Sequence, residues 1–170
     1  MKFNKSIFLL IKVYILNISI FSFYRVILFL TQTDLINFDN VSILTVFKSF
    51  VMGIRFDLVI SSYIMIFPAL ILCLKEILSL NYLFISKVIF YWVFILFSFS
   101  FLITAADIPY FNQFYDRFSI GAFAWAENID LVFSMIVNEP EYFVIAIPFV
   151  FLEIVFYKFL KKNFNDYRSE

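Results

Sequence analysis

Two short stretches hold most of the residues that can do chemistry. "GIRFDL", Gly53 to Leu58, sets Arg55 two residues before Asp57, and "ADIPYFNQFYDRF", Ala106 to Phe118, sets Asp107, Asp116 and Arg117 among aromatic rings. An arginine presents a planar fork of N–H donors that matches two phosphate or carboxylate oxygens at once. Arg55 and Arg117 can therefore grip the phosphate of a lipid headgroup, with Asp57, Asp107 and Asp116 orienting them. They can equally satisfy those acids and nothing else, and either arrangement brings the two stretches together. Lys12 and Glu153 form a separate pair, each set in an otherwise apolar run. An ionisable group at membrane depth is costly, and it is as a rule paired or functional.

Other chemistry is excluded by what the chain lacks. It contains no histidine and one cysteine, Cys73, so neither an internal disulfide nor the common metal-ligand spacings can be built. No metal site and no cofactor is expected within it. P-loop, GxSxG, HExxH and CxxC patterns are absent, so no catalytic residue is assigned.

The elements that must position these charges are membrane helices. Of 170 residues, 64% are hydrophobic and 15% charged, with a mean hydropathy of +0.95. That leaves too few polar side chains to cover a water-soluble globule. Four segments meet the requirement of roughly 20 mostly apolar residues for a helical span: 7–31, 56–74, 88–106 and 142–160. The expected fold is all-α and integral to the membrane, a single domain over 1–170 with four transmembrane helices plus one or two amphipathic helices on the outer surface. The first surface helix covers 41–52 and breaks at Gly53. The second covers 120–138, with Ala122, Trp125, Ala126, Ile129, Val132 and Phe133 on its apolar stripe, and ends before Pro140. Tyr110 and Trp125 are the expected interfacial anchors, since a ring with a polar tip suits the boundary between lipid and water.

Basic residues are unevenly placed along this topology. Lys2, Lys5, Lys12, Lys75, Lys87, Lys158, Lys161, Lys162 and Arg168 fall on the amino-terminal side, whereas only Arg25, Lys48, Arg55 and Arg117 fall on the other. The positive-inside tendency then puts both termini in the cytoplasm. Counting inward at 1.5 Å per residue, Lys12 lies roughly 7 Å and Glu153 roughly 10 Å below the cytoplasmic surface. This predicts an ion pair between them and makes the first and fourth spans neighbours.

A basic amino terminus, a span, "GIRFDLVISSYIMIFPALIL", and a span leaving as "ADIPYFNQFYDRFSIGAFAW" resemble the amino-terminal membrane domain of lipoteichoic acid synthase-like proteins. These are membrane phosphoglycerol transferases and sulfatase-like hydrolases of the alkaline phosphatase superfamily. The resemblance implies a bacterial cytoplasmic membrane, five spans, and an extracytoplasmic domain in which a threonine nucleophile and a divalent metal transfer a glycerol-phosphate headgroup. Neither the fifth span nor that domain occurs in this sequence. The resemblance therefore implies a membrane-anchoring, lipid-presenting domain, truncated or one piece of a split protein, and not catalytic alone. Its expected partners are membrane lipids, anionic phospholipid among them, and a separate catalytic chain, with no nucleic acid. The competing expectation is a self-sufficient small membrane protein, a transporter-like or assembly subunit, which requires polar groups converging at mid-membrane or small-residue packing stripes.

Overall fold

A backbone in hydrocarbon has no water to bond, so each apolar run must close its hydrogen bonds within its own helix. The computed structural model, which describes residues 2–33, 42–78, 82–118, 130, 134, 137–138 and 140–169, meets that demand with four long helices. They are α1 Lys2–Thr31, α2 Ile43–Leu78, α3 Tyr82–Phe114 and α4 Pro140–Ser169. Each is long and apolar enough to cross a membrane, and no strand occurs among the described residues. This is an all-α, multi-pass membrane protein.

The helices run longer than the apolar segments alone indicate. α2, at 36 residues, is about 54 Å long, well beyond a hydrocarbon core of about 30 Å. It joins the expected 41–52 surface helix to the 56–74 span without a break at Gly53. A glycine in a helix interior costs only about 1 kcal/mol relative to alanine, which does not stop a helix flanked by good formers. α3 continues past Ala106 to Phe114 with Pro109 inside it, because a proline deletes one backbone donor and leaves the following turns free to form. α4 carries on beyond Leu160 through most of the expected tail. In the expected 120–138 helix, Asp130, Ser134, Val137 and Asn138 are helical; its other positions, Trp125 included, lie outside the described residues.

Cross-helix bonds fix the directions. Ser6 Oγ and the Tyr167 hydroxyl are 2.7 Å apart, so the chain's two ends share one end of the bundle, here called the terminal end. At the opposite, loop end, the Gln32 amide donates to Asn112 Oδ1 and the Tyr142 hydroxyl donates to Gln113 Oε1 at 3.4 Å. Helices α1 and α3 each touch the other three, whereas α2 and α4 do not meet among the described residues. The bundle is therefore a rhombus in section, with α1 and α3 across its short diagonal.

Packing follows from the helical period. α3 turns Ile85, Ile89, Val93, Phe97, Phe101 and Ala105 inward, a row of every fourth residue of the kind that packs into a neighbour's grooves, and Ile108 after it. Phe101 sits where three helices meet: its ring lies 5.1 Å from Phe21, 6.5 Å from Tyr24 and 5.3 Å from Phe156. The outward faces are no less apolar, with Phe8, Ile15, Phe47, Phe84, Leu102 and Phe151 exposed, as expected when the solvent is lipid. Since lipid tails are as apolar as these side chains, close packing rather than burial from water holds the helices together. Truncating Phe101 to alanine should thus leave a cavity at the three-helix junction. In thermal unfolding of detergent-solubilised protein, F101A should melt well below wild type, on the scale of the about 3–5 kcal/mol typical of buried Phe→Ala changes. Leu102→Ala, next in sequence on the lipid face, should melt within a few degrees of wild type.

Candidate functional site

Charged side chains gather at the loop end, and the helix periods decide which of them meet. On α2, Asp57 turns inward and is buried while Arg55 is exposed, because residues two apart on a helix point to different sides. The partner of Asp57 is Arg25 near the end of α1, whose Nη2 donates to Asp57 Oδ1 at 2.9 Å. Gly53 makes that contact possible. A Cβ at position 53 would lie 2.1 Å from Arg25 Cζ and 2.3 Å from Nη1, so the guanidinium rests against bare backbone one turn from Asp57. The acid's other oxygen, Oδ2, and Arg25 Nη1 have no hydrogen-bond partner among the described residues.

A second ion pair closes the end of α3. Tyr115 takes a left-handed conformation with φ of 54°, and its N–H bonds the Phe111 carbonyl at 2.9 Å, terminating the helix as glycine commonly does. A non-glycine residue adopts that geometry at a cost of about 1–2 kcal/mol. The turn throws Arg117 back over the helix, where it pairs with Asp107 and lies over the Phe111 ring at 5.5 Å. Asp107 Oδ1 also accepts the Phe118 N–H at 2.7 Å, so this carboxylate holds both the side chain and the backbone of the reversed segment. Asp116 instead accepts the Arg117 N–H at 2.8 Å and orients no guanidinium. Tyr110 packs its ring against Phe114 at 4.7 Å and Phe118 at 5.2 Å.

Between these pairs opens a cleft of about 990 Å³ with Arg25, Lys48 and Arg117 on its walls. No acid lines it among the described residues, and Phe29, Phe50, Phe56 and Phe111 supply much of the rest. Arg25 and Arg117 are each already held by one carboxylate, which fixes their positions and leaves N–H donors over. Lys48 is exposed and has no hydrogen bond or ion pair to a described residue. Cations above aromatic walls suit an amphiphile: a phosphate among the N–H donors and an acyl chain along the rings.

The structure redistributes the expected site residues. Asp57, Asp107 and Arg117 do line or brace one region, but Arg55 is not on the cleft, and Arg25 takes the place assigned to it. Reading "RFD" as one unit overlooked the angular step between its two charges. The depth count that linked Lys12 to Glu153 would also have linked Arg25 to Asp57, since both lie near the loop ends of consecutive antiparallel spans. Lys48 and Gly53 left no comparable signal.

Lys12 and Glu153 do not pair. Lys12 Nζ donates to Asn163 Oδ1 at 3.3 Å, and Glu153 accepts from Ser98 Oγ at 2.8 Å. Asn163 is ten residues further along α4, about 15 Å of rise, so the two charges sit at different depths. The expected contact placed the end of α4 near Leu160, whereas the helix runs to Ser169. The neighbourhood of α1 and α4 does hold.

The Gly53 contact can be tested by its sign. Alanine is the better helix former by about 1 kcal/mol, so G53A would stabilise a helix with open space there. Displacing the guanidinium from a buried carboxylate costs about 3–5 kcal/mol, so the structure requires net destabilisation. Thermal unfolding in detergent should show G53A below wild type, and the penalty should shrink or reverse in an Arg25→Met, Asp57→Leu background where no ion pair remains to disturb.

No protein-family model, curated protein or solved structure matches this chain, so its function is argued from the two ion pairs and the cleft between them.

Proposed function

We propose that this chain is a membrane domain that holds and presents an anionic phospholipid, its phosphate seated among Arg25, Lys48 and Arg117 at the loop end. The observation that carries the reading is the cleft, where three cations meet aromatic walls and no described acid faces inward. Segregation of the basic residues supports an orientation with both termini in the cytoplasm, which puts the cleft in the outer leaflet. On this reading the resemblance to lipoteichoic acid synthase-like proteins has a physical meaning: the domain positions a lipid for a phosphoglycerol transferase or sulfatase-like domain, on the same polypeptide or on a separate chain. The bacterial cytoplasmic membrane belongs to the same proposal.

Lipid retention measured by native mass spectrometry on protein released from mixed-lipid nanodiscs tests it. Wild-type protein should keep phosphatidylglycerol in preference to phosphatidylcholine. Lys48→Gln combined with Arg117→Gln should weaken that preference by roughly thirtyfold, about 1 kcal/mol for each cation near the surface. Arg55→Gln, away from the cleft, should leave it unchanged. Equal losses in the two variants would mean a diffuse surface charge and no cleft site.

A second reading, the self-sufficient transport or assembly subunit, draws on a different observation. Inside the bundle the side chains of Asn17 and Ser61, the Tyr24 hydroxyl and Glu153 Oε1 are buried without hydrogen-bond partners among the described residues, and unpaired polar atoms in such places are costly. Buried polar groups of this kind at membrane depth are what a translocation path would be built from. A proton or small-cation flux in proteoliposomes that Asn17→Ala and Glu153→Gln each abolish would select this reading; protein-free leak rates in every variant would dismiss it.

A further inference from the structure

At the terminal end, α1 and α4 part to leave a groove of about 480 Å³ lined by Lys5, Phe8, Leu9, Lys12, Asn163 and Asp166, with Tyr167 beyond. Lys12 is partly buried there. Its contacts are a neutral amide oxygen, Asn163 Oδ1 at 3.3 Å, and the face of Phe8, with Nζ 4.5 Å from the ring centroid. Asp166 shares the groove, but Lys12 forms no ion pair with it or with any other described acid. An ammonium sunk into a bilayer is expensive unless a countercharge accompanies it. A neutral acceptor and an aromatic face offset part of that cost and supply no negative charge.

The level of Lys12 is set by its partner on α4. Asn163 lies between Lys162 and Phe164, and Lys158, Lys161 and Lys162 are all exposed on the same stretch of helix. Lys12 therefore stands within a belt of cations near one bilayer surface, at the depth of lipid phosphates. Deeper along α1, Ile15, Phe23 and Val26 lie on the same face as Lys12 and are all exposed, an apolar stripe that runs from the groove along the lipid face of α1. A cation without a countercharge among the described residues, a groove of headgroup size and an acyl-length apolar track adjoin one another.

We propose that this groove binds an anionic phospholipid of the leaflet at the terminal end, its phosphate serving as the countercharge of Lys12 and one acyl chain lying along Ile15, Phe23 and Val26. The site shares no residue with the loop-end cleft and lies in the opposite leaflet, so it stands or falls independently of the function proposed above.

The decisive experiment uses full-length protein in nanodiscs of phosphatidylcholine with increasing phosphatidylglycerol. Wild-type melting temperature should rise with the phosphatidylglycerol fraction, and Lys12→Gln should weaken the apparent affinity about fivefold, the share of one lysine near the surface. Lys161→Gln, at similar depth but off the groove, should retain wild-type affinity. A loss in K161Q equal to that in K12Q would overturn the proposal in favour of a non-specific cation belt. Inorganic phosphate added to detergent-solubilised protein should give no shift; a saturating shift would mean that the groove takes free anions rather than lipid. Should K12Q fail to fold, wild-type protein with a photoactivatable phosphatidylglycerol gives the same answer by peptide mapping. Labelling should centre on Phe8, Leu9 and Tyr167, and labelling spread evenly over the exposed faces of α2 would refute the site.

Discussion

The ion pair between Arg25 and Asp57 is the contact on which the loop end depends. It joins the last turns of α1 to α2 across a bare stretch of helix backbone, and it fixes one wall of the cationic cleft. In water such a pair contributes little, because both ions are well solvated apart. At the edge of a bilayer neither ion has that alternative, so losing one partner strands the other. Gly53 is the third member of this arrangement, since any side chain there would occupy the space of the guanidinium. One of only two glycines in the chain thus serves close approach between a side chain and a helix rather than backbone flexibility.

The same economy of polar groups governs the rest of the bundle. Asp107 holds Arg117 and the Phe118 N–H together, which ties the reversal after α3 back to the helix despite a left-handed tyrosine. Serine and threonine hydroxyls return to the carbonyl of the preceding turn, as Ser100 does to Leu96 and Thr104 to Ser100, and so cross the membrane without external partners. Against this background the side chains of Asn17 and Ser61, the Tyr24 hydroxyl and Glu153 Oε1, which have no partner among the described residues, are exceptions within the bundle.

The spans were legible in the sequence because their signal is compositional: four runs of apolar residues can only be helices in lipid, and the inward faces repeat at the helical period. Apart from the end of α1 at Thr31, helix ends were not legible. Gly53 and Pro109 carry the usual marks of a boundary, yet neither supplies enough energy to stop a helix whose backbone bonds are protected on both sides. That error propagated to the site. With α4 ended at Leu160, Lys12 and Glu153 fell at one depth; with α4 reaching Ser169, Lys12 instead faces Asn163. Asp57, Asp107 and Arg117 were identifiable as charges near membrane depth, but their partners depend on angular position and on register between helices. Neither can be read from one helix alone, which is why Arg25 and Lys48 went unassigned.

The two grooves differ in how they treat charge, and the difference bears on what each can hold. In the loop-end cleft two of the three cations are braced by carboxylates, so their positions are set before any ligand arrives and only part of their charge is left to attract one. Preorganised donors favour a ligand of defined geometry, because little ordering remains to be done on binding. At the terminal end Lys12 has no carboxylate partner among the described residues and a flexible stem, so it supplies attraction with little geometric demand. A site of the first kind suits a headgroup that must be placed for a reaction or a transfer. A site of the second kind suits a resident lipid that tolerates exchange among anionic headgroups and compensates a charge the fold leaves open. Under the two proposals the chain treats the two leaflets differently, with selection by geometry at one surface and retention by charge at the other.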